Sequence, residues 1–283
     1  MTRATFDTLG WTRDMVQARI LARLFSQRVR GIALKGGMAM RVAHGKWARA
    51  TKDIDLDADQ ELPLPALQSL MRKAIATAAQ DTALENVRIT EPKQTETTSR
   101  WKIAGTDPRT GQVLNLTVEV SRRDAVSDNA VRQVCRGPTG DDWITVYKDE
   151  ELAFKKVKAL LSDMREAPRD IADLYLLIQA DVPAPVAQLR AFMAEGGELS
   201  LRRMWSKIER MDQAMFRAEV LPSLPPTPDG QDLYRDWEEI RVTVGENIER
   251  WIRQAREEQV PDQEPAGNRH LLAPRTRTPS AGP

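Results

Sequence analysis

The run Asp53-Ile54-Asp55-Leu56-Asp57 constrains this chain more than any other stretch. Side chains of a strand alternate between faces, so the pattern sends Ile54 and Leu56 into a core and sets three carboxylates on the opposite side. Like charges so close raise one another's pKa unless a cation lies between them, and hard divalent ions prefer oxygen ligands. Asp53 and Asp55 are therefore candidate Mg²⁺ ligands. A solvated strand edge with incidental acids gives the same pattern, so the neighbouring segments have to decide.

Upstream, residues 31–34 read as a short apolar strand, Gly36-Gly37 as a turn and residues 38–43 as a helix. Free backbone N–H groups at such a turn can cradle a triphosphate, with glycine permitting close approach, although many glycine pairs are only tight turns. An amphipathic helix over residues 12–29 precedes this unit, with Met15, Ala18, Leu21, Ala22, Phe25 and Val29 on one face, and a helix over 64–79 follows it. Short β-like runs at 87–90, 98–104 and 113–120 are expected to complete a mixed sheet. In the last of these, Asn115, Thr117 and Glu119 share a face, so Glu119 is a third metal ligand if its strand adjoins that of Asp53, or an acid on a wet face if not.

After Asp149 the pattern is helical, broken at Pro168, at residues 183–185, at Gly196-Gly197 and at residues 222–228. In the helix over 149–163, Leu152, Ala153, Val157, Ala159, Leu160 and Leu161 form an apolar arc that includes Lys156 but not Lys155 or Lys158. A lysine on a buried face snorkels or meets an anion. A nucleotide phosphate and Asp163 are the competing partners. Arg169, Asp170 and Asp173 open the next helix, where the acids either cap it or contact the nucleotide. The expected organisation is a sheet domain over residues 1–147, a helical domain over 148–260 and a disordered tail over 261–283.

Composition narrows the chemistry. Lys and Arg number 42 against 41 Asp and Glu, so net charge names no partner. With one cysteine, Cys135, and two histidines, His44 and His270, disulfide frameworks, histidine triads and multi-histidine metal sites are disfavoured. Catalysis would rest on carboxylates, lysine and arginine. The longest apolar stretches are too short to span a bilayer, and the expectation is a soluble, cytoplasmic protein with no membrane partner.

Together, Leu34-Lys35-Gly36-Gly37-Met38-Ala39-Met40-Arg41, Thr51-Lys52-Asp53-Ile54-Asp55-Leu56, the lysine-bearing helix Glu151-Leu152-Ala153-Phe154-Lys155-Lys156-Val157-Lys158 and Arg169-Asp170-Ile171-Ala172-Asp173-Leu174-Tyr175 resemble the AbiEii/AbiGii toxin family of nucleotidyltransferases. That family belongs to the DNA polymerase β-like superfamily. The resemblance covers roughly residues 30–180 and implies an α/β fold, a polymerase β-like domain with a mixed sheet followed by a helical C-terminal domain. It implies Asp53 and Asp55 as metal ligands of a two-metal Mg²⁺ site, Lys156 on phosphate and Asp170 as a catalytic acid. Lys35, Gly36, Gly37, Arg41 and Asp173 would then line the nucleotide site. Met38 stands where the family commonly has Thr, and Glu119 where a shorter acid is more usual. The implied activity is transfer of NMP from NTP to an acceptor hydroxyl, by the toxin of a toxin–antitoxin or phage-defence pair with a cognate antitoxin. Related toxins modify the 3′ end of tRNA, which favours an RNA acceptor. Arg41, Lys46, Arg49 and Lys52, with no acid among them, are the expected grips on its phosphates. Transfer to a protein Ser or Thr, a non-catalytic nucleotide-binding regulator, and nucleic-acid binding through Arg202, Arg203, Lys207 and Arg210 are the alternatives.

Overall fold

The structure, a computed structural model, describes residues 3–137, 140–162, 166–224 and 233–257. Helix α1 (Arg3–Phe25) leads into β1 (Ile32–Lys35), α2 (Gly36–His44), β2 (Asp53–Ala58) and α3 (Leu64–Gln80). Strands β3 (Glu85–Gln94), β4 (Thr98–Thr106), β5 (Val113–Ser121), β6 (Ala130–Gly137) and β7 (Gly140–Tyr147) follow. Then come α4 (Asp149–Leu161), α5 (Pro168–Gln179), α6 (Val186–Ala194), α7 (Leu201–Arg210), the short α8 (Gln213–Met215) continued by a π-helical turn (Phe216–Val220) and a 3-10 turn (Leu221–Ser223), and α9 (Trp237–Glu257).

Seven strands form one mixed sheet in the order β3-β4-β5-β2-β1-β7-β6. β2 runs parallel to β5 and β1 parallel to β7, while β1 and β2 are antiparallel. The register explains the alternation in β2: Ile54 lies beside Val118, Leu56 beside Val120 and Leu34, and Trp101 beside Val118. All of these are fully buried. Helices α1 and α3 pack together and bury Val16, Ile20, Leu21, Leu24, Leu67, Met71 and Ile75. A slip of one residue in β2 would turn this apolar row outward and bury the aspartates, so the register is strongly fixed.

Residues 12–25 are helical as the spacing predicts, but the helix ends at Phe25 rather than Val29, and its most deeply buried face carries Val16, Ile20 and Leu24 as well as Leu21. The hairpin β6–β7 is a larger departure, because the sequence pattern ends the sheet at Val120. Charged residues at Arg132, Arg136, Asp141 and Asp142 break the apolar alternation there, yet β7 inserts next to β1 with Leu34 beside Val146. The tail beyond residue 257, including the expected disorder over 261–283, lies outside the described residues.

Candidate active site at the glycine turn

Strand β1 passes directly into α2, which begins at Gly36 rather than at Met38. Gly36 has φ +68, and a Cβ there would lie 2.5 Å from Asp55 Oδ2. Both the conformation and the space require glycine. The register sets Lys35 beside Asp55, and Lys35 stands at the N-cap of α2 with no side-chain hydrogen bond to the helix start. The N–H groups of the first turn are thus not used by a capping side chain. At Gly37 a Cβ would come within 3.2 Å of Arg49 Nη2 and Thr51 Cβ, so this turn lies tight against the segment that enters β2.

The three aspartates share one sheet face but differ in environment. Asp57 is buried; it accepts from Lys35 Nζ at 2.5 Å, from Lys155 Nζ at 3.0 Å and from the Tyr147 hydroxyl at 3.0 Å. Burial pushes its carboxyl up, but Lys35 and Lys155 outweigh that and hold it below the usual range. Asp55 goes the other way. Burial first, then the charge of Asp53, raises it to about 6 against the pull of Lys35 and Lys156. Glu119 lies beside Asp55 in the register and adds to the rise, while Arg100 Nε donates to Glu119 Oε2 at 2.7 Å. β5 therefore does adjoin β2, the condition set for Glu119 as a third ligand.

This donor set suits a hard divalent cation. Two adjacent carboxylates, one of them resisting ionisation, gain from a positive charge between them. Mg²⁺ commonly takes one or two protein carboxylates and completes its shell with water and substrate phosphates. Among the described residues no group of three or more His, Cys, Asp or Glu side chains is arranged around a common metal position.

Across from the acids, α4 and α5 bring a buried charge cluster. Lys156 Nζ lies 2.7 Å from Asp170 Oδ1 and 2.6 Å from Asp173 Oδ2. Arg49 donates to Asp173 through Nε and Nη2, both at 2.9 Å. Burial alone would lower the Lys156 ammonium, but Asp170 and Asp173 raise it; burial alone would raise Asp173, but Lys156 and Arg49 lower it. The inward lysine does meet an anion, as its place in the apolar arc requires, and the partners are Asp170 and Asp173. Asp163 lies outside the described residues. Asp170 does lie in the first turn of α5, but both carboxylates also face Lys156.

Several expected grips are engaged elsewhere. Arg49 is 6% exposed and committed to Asp173, which removes it from any surface that phosphates could reach. Arg41 donates to Asp14 and to the Ala48 carbonyl, binding α2 to α1 rather than standing open to a nucleotide. Lys35 is paired with Asp57. Lys52 is exposed, and the Lys46 side chain lies outside the described residues. Sequence reading missed Arg49, Tyr147 and Asp14 as parts of the site's support. Arg49 and Asp173 are 124 residues apart, and no local pattern could have joined them.

The fold is similar to two solved structures. One is a candidate nucleotidyltransferase from H. pylori, at TM-score 0.54 and 16% identity over 92% of this chain and 100% of that one. The other is JHP933 from Helicobacter pylori, at TM-score 0.50 and 16% identity over 92% and 96%. No curated protein matches the chain. The family model described as nucleotidyl transferase AbiEii toxin, type IV toxin–antitoxin system, matches residues 19–260. The chain belongs to the AbiEii family of nucleotidyltransferase toxins.

Proposed function

We propose that this nucleotidyltransferase uses Mg²⁺ bound by Asp53 and Asp55, with Glu119 the nearest further carboxylate, to transfer NMP from an NTP to an acceptor hydroxyl of RNA, tRNA being the favoured class. The observation that carries the reading is the placement of two carboxylates on one face of β2, against the uncapped start of α2 at Gly36. NTP as substrate and an antitoxin as partner follow from the family. A divalent cation held by these acids would activate the acceptor oxygen and offset charge on the departing pyrophosphate.

The chain's own groups do the rest. Amides of Gly36 and Gly37 bind phosphate oxygens at the positive end of α2. Lys156 remains protonated because Asp170 and Asp173 hold it, and its charge already acts on Asp55. In this reading a sheet domain over 1–147 carries the metal ligands, and a helical domain over 148–260 brings Lys156, Asp170 and Asp173 to them. Among the described residues no helix is long and apolar enough to cross a membrane.

The test is to offer each of four α-labelled NTPs with total RNA or total protein, with Mg²⁺ or with a chelator. Label on RNA that requires Mg²⁺ and is lost in Asp53→Asn supports the reading. Label on protein alone would replace the acceptor, and transfer that survives chelation would remove the metal.

A further inference from the structure

The acids of β2 are the inner end of two rows of side chains that cross the sheet to its edge. In the first row Asp55 lies beside Glu119, Glu119 beside Arg100 and Arg100 beside Lys93. In the second, Asp53 lies beside Thr117, Thr117 beside Lys102 and Lys102 beside Thr90. Further along the same face, Arg88 lies beside Ala104. Paired residues on adjacent strands are about 5 Å apart, so these rows place cations about 10 to 15 Å from the carboxylates.

This half of the sheet is open. Arg88, Thr90, Lys102 and Asn115 are exposed, and Val113 on the same face is 61% exposed. The opposite face holds the core residues Trp101, Ile103, Leu116 and Val118. The acid in the middle of β3 is not in these rows: Glu91 is held by Arg72 of α3. On the open face Glu119 is matched by Arg100, and Glu85 and Glu96 stand only at the two ends of the β3–β4 hairpin. The face thus turns from acidic at β2 to basic at β4 and β3, though the chain as a whole is nearly neutral.

Resting on the nucleotidyltransferase reading, we propose that the phosphate backbone of the RNA acceptor lies across β4 and β3, held by Lys102, Lys93 and Arg88, with its reacting hydroxyl at Asp53 and Asp55. Charge complementarity selects a polyanion, and continuity with the acids selects the acceptor rather than an unrelated ligand. The rows contain no aromatic side chain on which a base could stack, so the contact is with phosphates and carries little sequence information. It replaces Arg41 and Arg49 as the grip, since both are engaged inside the fold.

The experiment compares full-length wild type with the triple variant Lys102→Gln, Lys93→Gln, Arg88→Gln, and with Arg202→Gln on α7 as the rival surface. The probe is a labelled single-stranded RNA followed by anisotropy over a range of salt. The triple variant is expected to bind about tenfold or more weakly, and the slope of log K against log salt to fall by about 0.7 per lost phosphate contact. NTP affinity and melting temperature should stay at wild-type values, and a scrambled RNA should bind as the original does. Wild-type affinity and slope in the triple variant would overturn the proposal, as would an equal loss in Arg202→Gln or transfer only to protein. Should the triple variant melt early, the single variant Lys102→Gln decides by the same slope. Asp53→Asn separates the two layers: transfer that survives it defeats the active-site reading, whereas its loss alongside unchanged RNA binding in the triple variant defeats the track alone.

Discussion

Arg49 and Asp173 meet through two parallel N–H···O contacts of 2.9 Å, in a pair that is 6% and 1% exposed. The pair joins the segment before β2 to α5 across 124 residues of chain. The same segment is held at Ala50, whose N–H donates to the Ser223 carbonyl at 2.6 Å, and at Thr51, whose carbonyl accepts from Gln17. The strand bearing Asp53 and Asp55 is therefore aimed by contacts with the helices, not by the sheet alone.

Replacing Arg49 by Ala should cost about 3 kcal/mol of stability, because it leaves Asp173 buried with Lys156 as its remaining partner. Arg49→Lys should recover only part of this, since an ammonium cannot reproduce the paired geometry. Denaturant titration checks both. A loss below about 1 kcal/mol for Arg49→Ala would mean that the pair does not hold the segment.

The three lysines of α4 should rank in a definite order. Lys156→Met leaves Asp173 to Arg49 and takes from Asp170 its 2.7 Å ammonium contact, and should abolish transfer with a large fall in melting temperature. Lys155→Ala leaves Asp57 with Lys35 and Tyr147, so a moderate loss is expected, in place of the neutrality that its position outside the apolar arc predicts. Lys158, near Asp124 at the surface, should tolerate Ala. Parallel measurements of transfer rate and melting would show any other order.

Much of this was readable because it is local. The alternation at Asp53–Ala58, the glycines at the end of β1 and the arc of α4 each depend on residues a few positions apart; β2 and Lys156 lie where those patterns put them, and the glycines follow β1 as expected but open α2 instead of preceding it. What stayed hidden depends on distant partners. An arginine in a run free of acids looks like a phosphate grip until the fold brings Asp173 to Arg49 or Asp14 to Arg41. Likewise β7 has a weak pattern of its own, yet it supplies the Tyr147 hydroxyl that holds Asp57.

Gly36→Ala should be far more damaging than Gly37→Ala. At Gly36 the added methyl would sit 2.5 Å from Asp55 Oδ2 in a backbone with φ +68, so the strain falls on the Asp55 carboxylate itself. At Gly37 the backbone is not left-handed and the nearest atoms, Arg49 Nη2 and Thr51 Cβ, stand 3.2 Å away, so a displacement of a few tenths of an ångström would admit the methyl. Transfer should be lost in the first variant and reduced in the second. Equal activity in both would remove the close packing of Gly36 on Asp55 from the argument.

Divalent-metal dependence should show itself in stability as well as in catalysis. The Asp55 carboxyl is raised to about 6 in the fold against about 4 in an unfolded chain. A raised carboxyl favours the folded state most below its unfolded value, and that contribution is lost as pH rises through about 6. Metal-free protein should therefore gain, from this group, up to about 3 kcal/mol on acidification from pH 7 to pH 4. Mg²⁺ needs the ionised pair, so the rise in melting temperature that it causes should be large at pH 7.5 and should fade below pH 6. Asp55→Asn should remove the charge repulsion, raising the melting temperature of the metal-free protein at pH 7.5 while abolishing both its response to Mg²⁺ and its transfer activity. Thermal melts of wild type and variant, with and without Mg²⁺ across this range, provide the check. A Mg²⁺ shift that is independent of pH, or that persists in Asp55→Asn, would place the cation away from Asp55.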